Sequence, residues 1–150
     1  MTTAADDDVL RSAGYLLMKA GHYIGIEFDA AFTSLGLNGR EFLLLSFARS
    51  ASGLSQQELS DRLALDPTIV VGLVDALEDL GLVRRAKDPA DRRRNVLSAT
   101  PEGIRVHDAA IAAARQAEDA FLAPLSPTQR AQFAKALRAV LAPRLAWLDG

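Results

Sequence analysis

Cysteine is absent from the chain, which excludes disulfides, thiolate metal sites and sensing by thiol oxidation. Histidine is scarce: His22 and His107 fall on different helical segments, without an acidic pair at ligand spacing, so no metal centre is expected. The sequence has no HExxH, no phosphate-cradling glycine loop and no nucleophile elbow. No catalytic residues and no cofactor are therefore expected, and the chain does not read as an enzyme. No apolar run approaches the roughly 20 residues needed to cross a bilayer. The opening MTTAADDDVL is acidic and polar, unlike the basic start and apolar centre of a signal peptide. Together these absences predict a soluble, cytoplasmic protein with no membrane partner. An excess of positive charge is missing too: the formal net charge is −2.

What is present is a hydrophobic fraction of 49% in 150 residues, enough for one well-filled domain, read here as 1–150. The charge is also unevenly spread. Between Leu82 and Arg94, six basic residues (Arg84, Arg85, Lys87, Arg92, Arg93, Arg94) face two acidic ones, a local +4 that leaves −6 for the remainder. Screening over about 8 Å keeps a distant acidic face from cancelling a local positive patch. A solvated loop and a phosphate-binding surface both fit this charge run.

Apolar residues recur at helical spacing from Val9 to Leu35, which predicts one long amphipathic helix, with Gly14, Gly21 and Gly25 implying close backbone packing or a bend. Asn38 and Glu41 have capping-box spacing and open a second helix to about Ala48. A loop around Ser50 to Gly53 follows. Ser55 and Glu58 form another capping box, stapled by Leu54 and Leu59. Asp66-Pro67 is an N-cap with proline at the first helical position, and Gly81 closes that helix. Two short capped helices joined by Ala64-Leu65-Asp66 make a helix-turn-helix over 55–80. The period then changes to two short strands, Leu82 to Lys87 and Asn95 to Ala99, enclosing a charged turn in a wing over 82–99. Thr100-Pro101 caps a long alanine-rich helix. Ser126-Pro127 opens a last helix through Leu148, with a kink expected over Ala139 to Pro143.

The segments LSQQELSDRLALDP, LVDALEDLGLVRR and DPADRRRNVLSATPEG resemble the core of the MarR family of transcriptional regulators in order and spacing. The acidic hairpin loop with Asp-Arg-Arg, followed by Thr-Pro-x-Gly opening a helix, is the most specific part. The resemblance implies a mainly α fold: a winged helix-turn-helix over about 39–100, with a two-stranded β wing, between long N- and C-terminal dimerisation helices (about 9–35 and 101–148). It implies a homodimer on double-stranded DNA with a pseudo-palindromic operator, acting as a repressor released by a small, often phenolic, effector. A winged-helix module for protein contacts or ligand binding, without DNA affinity, is the alternative.

For DNA, the implied phosphate contacts are Ser55, Gln56 and Gln57 at a helix N-terminus. The implied groove face is Pro67, Thr68, Ile69, Val71 and Gly72, next to Asp75. Many relatives place serine, threonine or arginine near Ile69, Val71 and Gly72. This chain has two apolar residues that suit thymine methyl groups and a glycine that reads nothing. In the wing, Arg84, Arg85, Lys87, Arg92, Arg93 and Arg94 are the implied contacts. Counting back from Thr100 places Arg93 at the family's wing-tip arginine, suited to a narrow minor groove. One wing arginine is expected to pair with Asp88 or Asp91 and hold the loop's shape. Effector candidates are Tyr15, Met18, His22, Tyr23 and Arg49, although the aromatic residues also suit dimer core.

Overall fold

The structure is a computed structural model that describes residues 4–49 and 53–145. Its helices and strands, in chain order, are α1 (Ala4–Arg11), α2 (Ala13–Phe32), a 3-10 turn (Thr33–Leu35), α3 (Gly39–Ala48), α4 (Gln56–Leu63), α5 (Pro67–Asp79), β1 (Val83–Lys87), β2 (Asn95–Ala99), α6 (Pro101–Phe121) and α7 (Pro127–Leu141). They fall into two compact units, one through Ala117 and one from Glu118 onward.

Local caps explain most boundaries. Asn38 accepts the Arg40 and Glu41 N–H groups while Glu41 accepts the Asn38 N–H, closing the capping box that starts α3. Ser55 and Glu58 do the same for α4. Asp66 accepts the Thr68 N–H at 2.8 Å, with Pro67 next to it, and α5 begins there. At the other end of α5 the Gly81 and Leu82 N–H groups donate to Glu78 and Leu77, a Schellman closure that places Gly81 at φ +70°.

The expected single helix from Val9 to Leu35 is two. Ser12 adopts an extended conformation and its hydroxyl accepts the Tyr15 N–H at 3.2 Å, so it caps a new helix rather than continuing the first. A Cβ at Gly14, Gly21 or Gly25 would meet nothing within 4 Å, so none of the three serves a close contact among the described residues. The expected kink at Pro143 is instead a stop: α7 ends at Leu141, and the chain turns through Ala142 to Arg144. Leu148, assigned to that helix from the sequence, lies outside the described residues.

Within the first unit, β1 and β2 pair antiparallel, in register from Val83↔Ala99 to Lys87↔Asn95, and Leu54 adds a single bridge to Leu97. The hairpin packs its Val83 and Leu97 face onto the core that α3, α4 and α5 build from Leu44, Leu45, Leu59, Val70, Val74 and Leu77. α6 joins that core through Val106 and Ala110. Its start is anchored by Thr100, which donates through its hydroxyl to the Gly81 carbonyl at 2.6 Å and accepts the Gly103 N–H at 3.0 Å. In the second unit, Arg130 of α7 holds the end of α6 through the Asp119 carboxylate (3.0 Å) and backbone carbonyl (3.2 Å).

Candidate nucleic-acid interface

α4 and α5 form a helix-turn-helix whose inner side is saturated. Val70, Val74 and Leu77 are buried, which leaves Pro67, Thr68, Ile69, Val71, Gly72 and Asp75 of α5 facing solvent. A contiguous exposed strip beginning at a helix N-terminus is what entry into a major groove needs.

The wing is shaped by its own carboxylates. Asp88 accepts the Ala90 N–H at 2.8 Å and Asp91 the Arg93 N–H at 3.0 Å, while the backbones of Asp88 and Arg94 close the loop at 2.9 Å. Each aspartate thus spends acceptor capacity on the loop backbone, and the cations separate into two groups. Arg94 is held inside, paired with Glu58 of α4 and, at 3.5 Å, with Asp88. It fulfils the expected loop brace and reaches further, to the helix-turn-helix. Hydrogen bonds from the Ser55 backbone, aided by Arg94, hold the Glu58 carboxyl below the usual carboxylate range. Arg85 is paired with Asp75 and Glu78 of α5, and these partners, Asp75 foremost, raise the guanidinium above its ordinary value. Arg85 and Arg94, expected as DNA contacts, therefore act as braces that fix the wing against α5 and α4. Arg92 and Arg93 are exposed, and among the described residues no side chain bonds either guanidinium. Lys87 is likewise exposed, and Arg84 donates to the Ser98 hydroxyl at 3.3 Å.

At the start of α4 the three expected phosphate contacts differ. The Ser55 hydroxyl is occupied by the capping box. Gln56 turns its amide nitrogen inward, where it is buried without a partner among the described residues, so that group cannot reach a phosphate from this position. Gln57 is exposed and bonds Asp61 at 3.2 Å.

The effector candidates do not assemble. Tyr15, Met18, His22 and Tyr23 sit along α2, where Lys19 lies over the Tyr15 ring and His22 meets Tyr23 edge-on. Arg49 is engaged elsewhere, with His107 and Asp108. The apolar hollow in this region is instead a cleft of about 330 Å³ between α2 and α3, lined by Gly25, Phe28, Phe32, Phe42 and Leu43, with Asp29 and Arg40 at its polar edge. None of the five candidates lines it. Phe32 is buried at the back of this cleft and Phe28 is half-buried beside it.

His107 was also missed. It is buried at 6% exposure and stacks on Phe42 at 5.4 Å. The Arg49 guanidinium can only donate, so it fixes Nδ1 as an acceptor (2.8 Å). Nε2 then donates to the Ser46 hydroxyl (2.9 Å), which donates to the Phe42 carbonyl (2.8 Å). Burial, followed by the Arg49 charge, lowers the His107 pKa below its ordinary value. The unfolded chain takes up this proton near pH ~6.5 and the folded chain resists it. The stability contributed by neutral His107 is thus fully present above that pH and is lost as pH falls towards the lowered folded value. The urea midpoint should drop between pH 7.5 and 5.5 by more in the parent than in His107→Gln. Equal drops in the two proteins would refute the assignment.

A groove-sized exposed helix start beside a two-stranded arm with outward arginines defines a winged helix-turn-helix DNA-binding protein. A family model described as MarR family matches residues 35–94. The transcriptional repressor NicR of Pseudomonas putida is 30% identical over 89% of this chain and 85% of its own length. The repressor Rv2887 of Mycobacterium tuberculosis is 32% identical over 89% of this chain and 94% of its own. CouR from Rhodococcus jostii RHA1, solved with p-coumaroyl-CoA, superposes with a TM-score of 0.79 at 33% identity, covering 90% of this chain and 95% of that one. Rv2887 solved with DNA gives 0.74 at 29% identity, covering 86% and 97%. The chain belongs to the MarR family and is a DNA-binding transcriptional regulator. Among the described residues, no helix is long and apolar enough to cross a membrane.

Proposed function

We propose that the protein is a homodimeric repressor of a pseudo-palindromic operator, with α5 in the major groove and the wing along the adjacent minor groove. The observation that carries the reading is the division among the wing arginines. Arg85 and Arg94 are consumed as internal braces while Arg92 and Arg93 stand outward on a loop whose carboxylates are occupied by its own backbone. Arginine presented in this way suits the negative potential of a narrow minor groove.

Dimerisation is supported by uncovered apolar surface. On α2, Leu16, Leu17, Met18, Tyr23 and Ile26 are exposed, beside three glycines whose missing side chains face open space. On α7, Phe133, Val140 and Leu141 are exposed. Surfaces of this kind mark association sites, and a two-fold axis lets one patch cover its own copy.

The α2–α3 cleft suits a small aromatic acid: phenylalanine walls hold a ring, and Arg40 at the rim can meet a carboxylate. Relatives point the same way, since Rv2887 has been solved with salicylic acid and CouR with p-coumaroyl-CoA. Fragments of the source genome retained by the purified protein should share an inverted repeat, and a phenolic or salicylate-like acid should release them. Retained fragments without two-fold symmetry contradict the dimeric reading, and indifference to every aromatic acid in a panel contradicts the effector reading.

A further inference from the structure

We propose that α5 tells base pairs apart through the C5-methyl group of pyrimidines, with Ile69 and Val71 as the reading side chains and Gly72 as the point of closest approach. The inference rests on the DNA-binding reading above and specifies how that reading is carried out.

Three observations lead to it. First, α5 carries no arginine, lysine, asparagine or glutamine, the side chains that make bidentate bonds to guanine or adenine. Its remaining polar groups are mostly committed or repelled. Asp75 and Glu78 are tied to Arg85, and carboxylates are poorly placed beside phosphates. Thr68 alone offers an uncharged hydrogen-bonding side chain on the exposed strip.

Second, Ile69 and Val71 are each 42% exposed, although they are β-branched apolar residues one position away from fully buried Val70. They are not core residues leaning outward. At 3.6 residues per turn, Thr68 and Gly72 run down the middle of the exposed arc, with Ile69 on one flank and Val71 on the other. The middle of the strip is therefore flanked on either side by a methyl-bearing side chain.

Third, among the described residues nothing requires glycine at position 72. A Cβ there would meet no atom within 4 Å, and α5 continues through it as regular helix. Glycine weakens a helix interior, so its presence in an unobstructed position fits close approach by an outside surface. In a major groove the apolar group available to such a surface is the thymine C5-methyl. 5-Methylcytosine presents a methyl at the same ring position, so cytosine methylation would create the determinant where sequence alone does not.

The test uses duplexes that the full-length protein itself selects from a random pool. Each thymine of a half-site is replaced in turn by deoxyuridine, which removes the methyl and leaves the pairing edges intact. At two or more positions the substitution should weaken binding about fourfold, the equivalent of one buried methyl. Ile69→Ala and Val71→Ala should each abolish the thymine–uracil difference at one position. At those positions a 5-methylcytosine·guanine pair should bind more tightly than cytosine·guanine. Gly72→Ala should weaken binding to every selected duplex without lowering the melting temperature. Equal affinity for thymine and uracil at all positions overturns the proposal and leaves DNA binding standing. Failure to retain any duplex overturns both.

Discussion

Gly103→Ala should destabilise the folded chain by about 3 kcal/mol or more, the upper range for forcing a group into a packed site. A Cβ at Gly103 would lie 1.9 Å from the Leu82 carbonyl oxygen and 2.9 Å from its carbon. Both are backbone atoms and cannot swing aside as the tip of a flexible side chain would. The same carbonyl accepts the Thr100 N–H at 3.0 Å, and the Thr100 hydroxyl in turn holds the Gly81 carbonyl and the Gly103 N–H. Moving α6 away to make room would therefore loosen the junction where α5 ends, β1 starts and α6 begins. This is the physical content of the Thr-Pro-x-Gly signature: the threonine caps and the glycine allows contact. Gly72→Ala is the internal control, the same chemical change on an open helix face, expected to be neutral or stabilising by up to ~1 kcal/mol. Urea unfolding of both variants checks the pair, and a Gly103→Ala midpoint matching the parent would mean that the junction is looser than described.

Arg93→Ala should weaken binding to a selected duplex by about 1–3 kcal/mol while leaving the unfolding midpoint unchanged. Its guanidinium has no side-chain partner among the described residues, so the folded chain loses little with it. Arg94→Ala should behave differently. Its guanidinium joins the wing to Glu58 and Asp88, and removing it takes the shared cation from both carboxylates and frees the loop. That variant should lose both stability and affinity. Titration at physiological salt, paired with urea unfolding, separates the two patterns. Arg93→Ala binding as tightly as the parent would remove the wing tip from the interface.

Much of this architecture could be read from the sequence because its signals are local. A cap and its acceptor lie three residues apart, as at Asn38–Glu41, Ser55–Glu58 and Ser126–Gln129, and all three boxes are present. The switch from helical to alternating period after Gly81 marks the hairpin just as directly. What escaped depends on partners far along the chain. Whether a wing arginine faces outward or inward is decided by Glu58, Asp75 and Glu78, which no spacing rule connects to it. The environment of His107 is set by Arg49 and Ser46 on another helix. Gln56 and Gln57 look equivalent in sequence, and only the packing of α4 turns one inward. The α2–α3 cleft is walled by residues of two helices, with Phe32 meeting Phe42 at 4.7 Å, and no single helix records it. The break at Ser12 is a smaller failure of the same kind: one polar residue inside an apolar period is compatible with a continuing helix and with a new cap.

Hydroxyl-radical footprinting of a selected duplex tests the interface most directly, because it reports where the minor groove is covered. The arrangement of α5 and the wing predicts two protected minor-groove patches related by two-fold symmetry, flanking the major-groove half-sites, both vanishing in the Arg92→Ala/Arg93→Ala double variant. Flanking protection that survives the double variant, or a single patch without a symmetry mate, would contradict it.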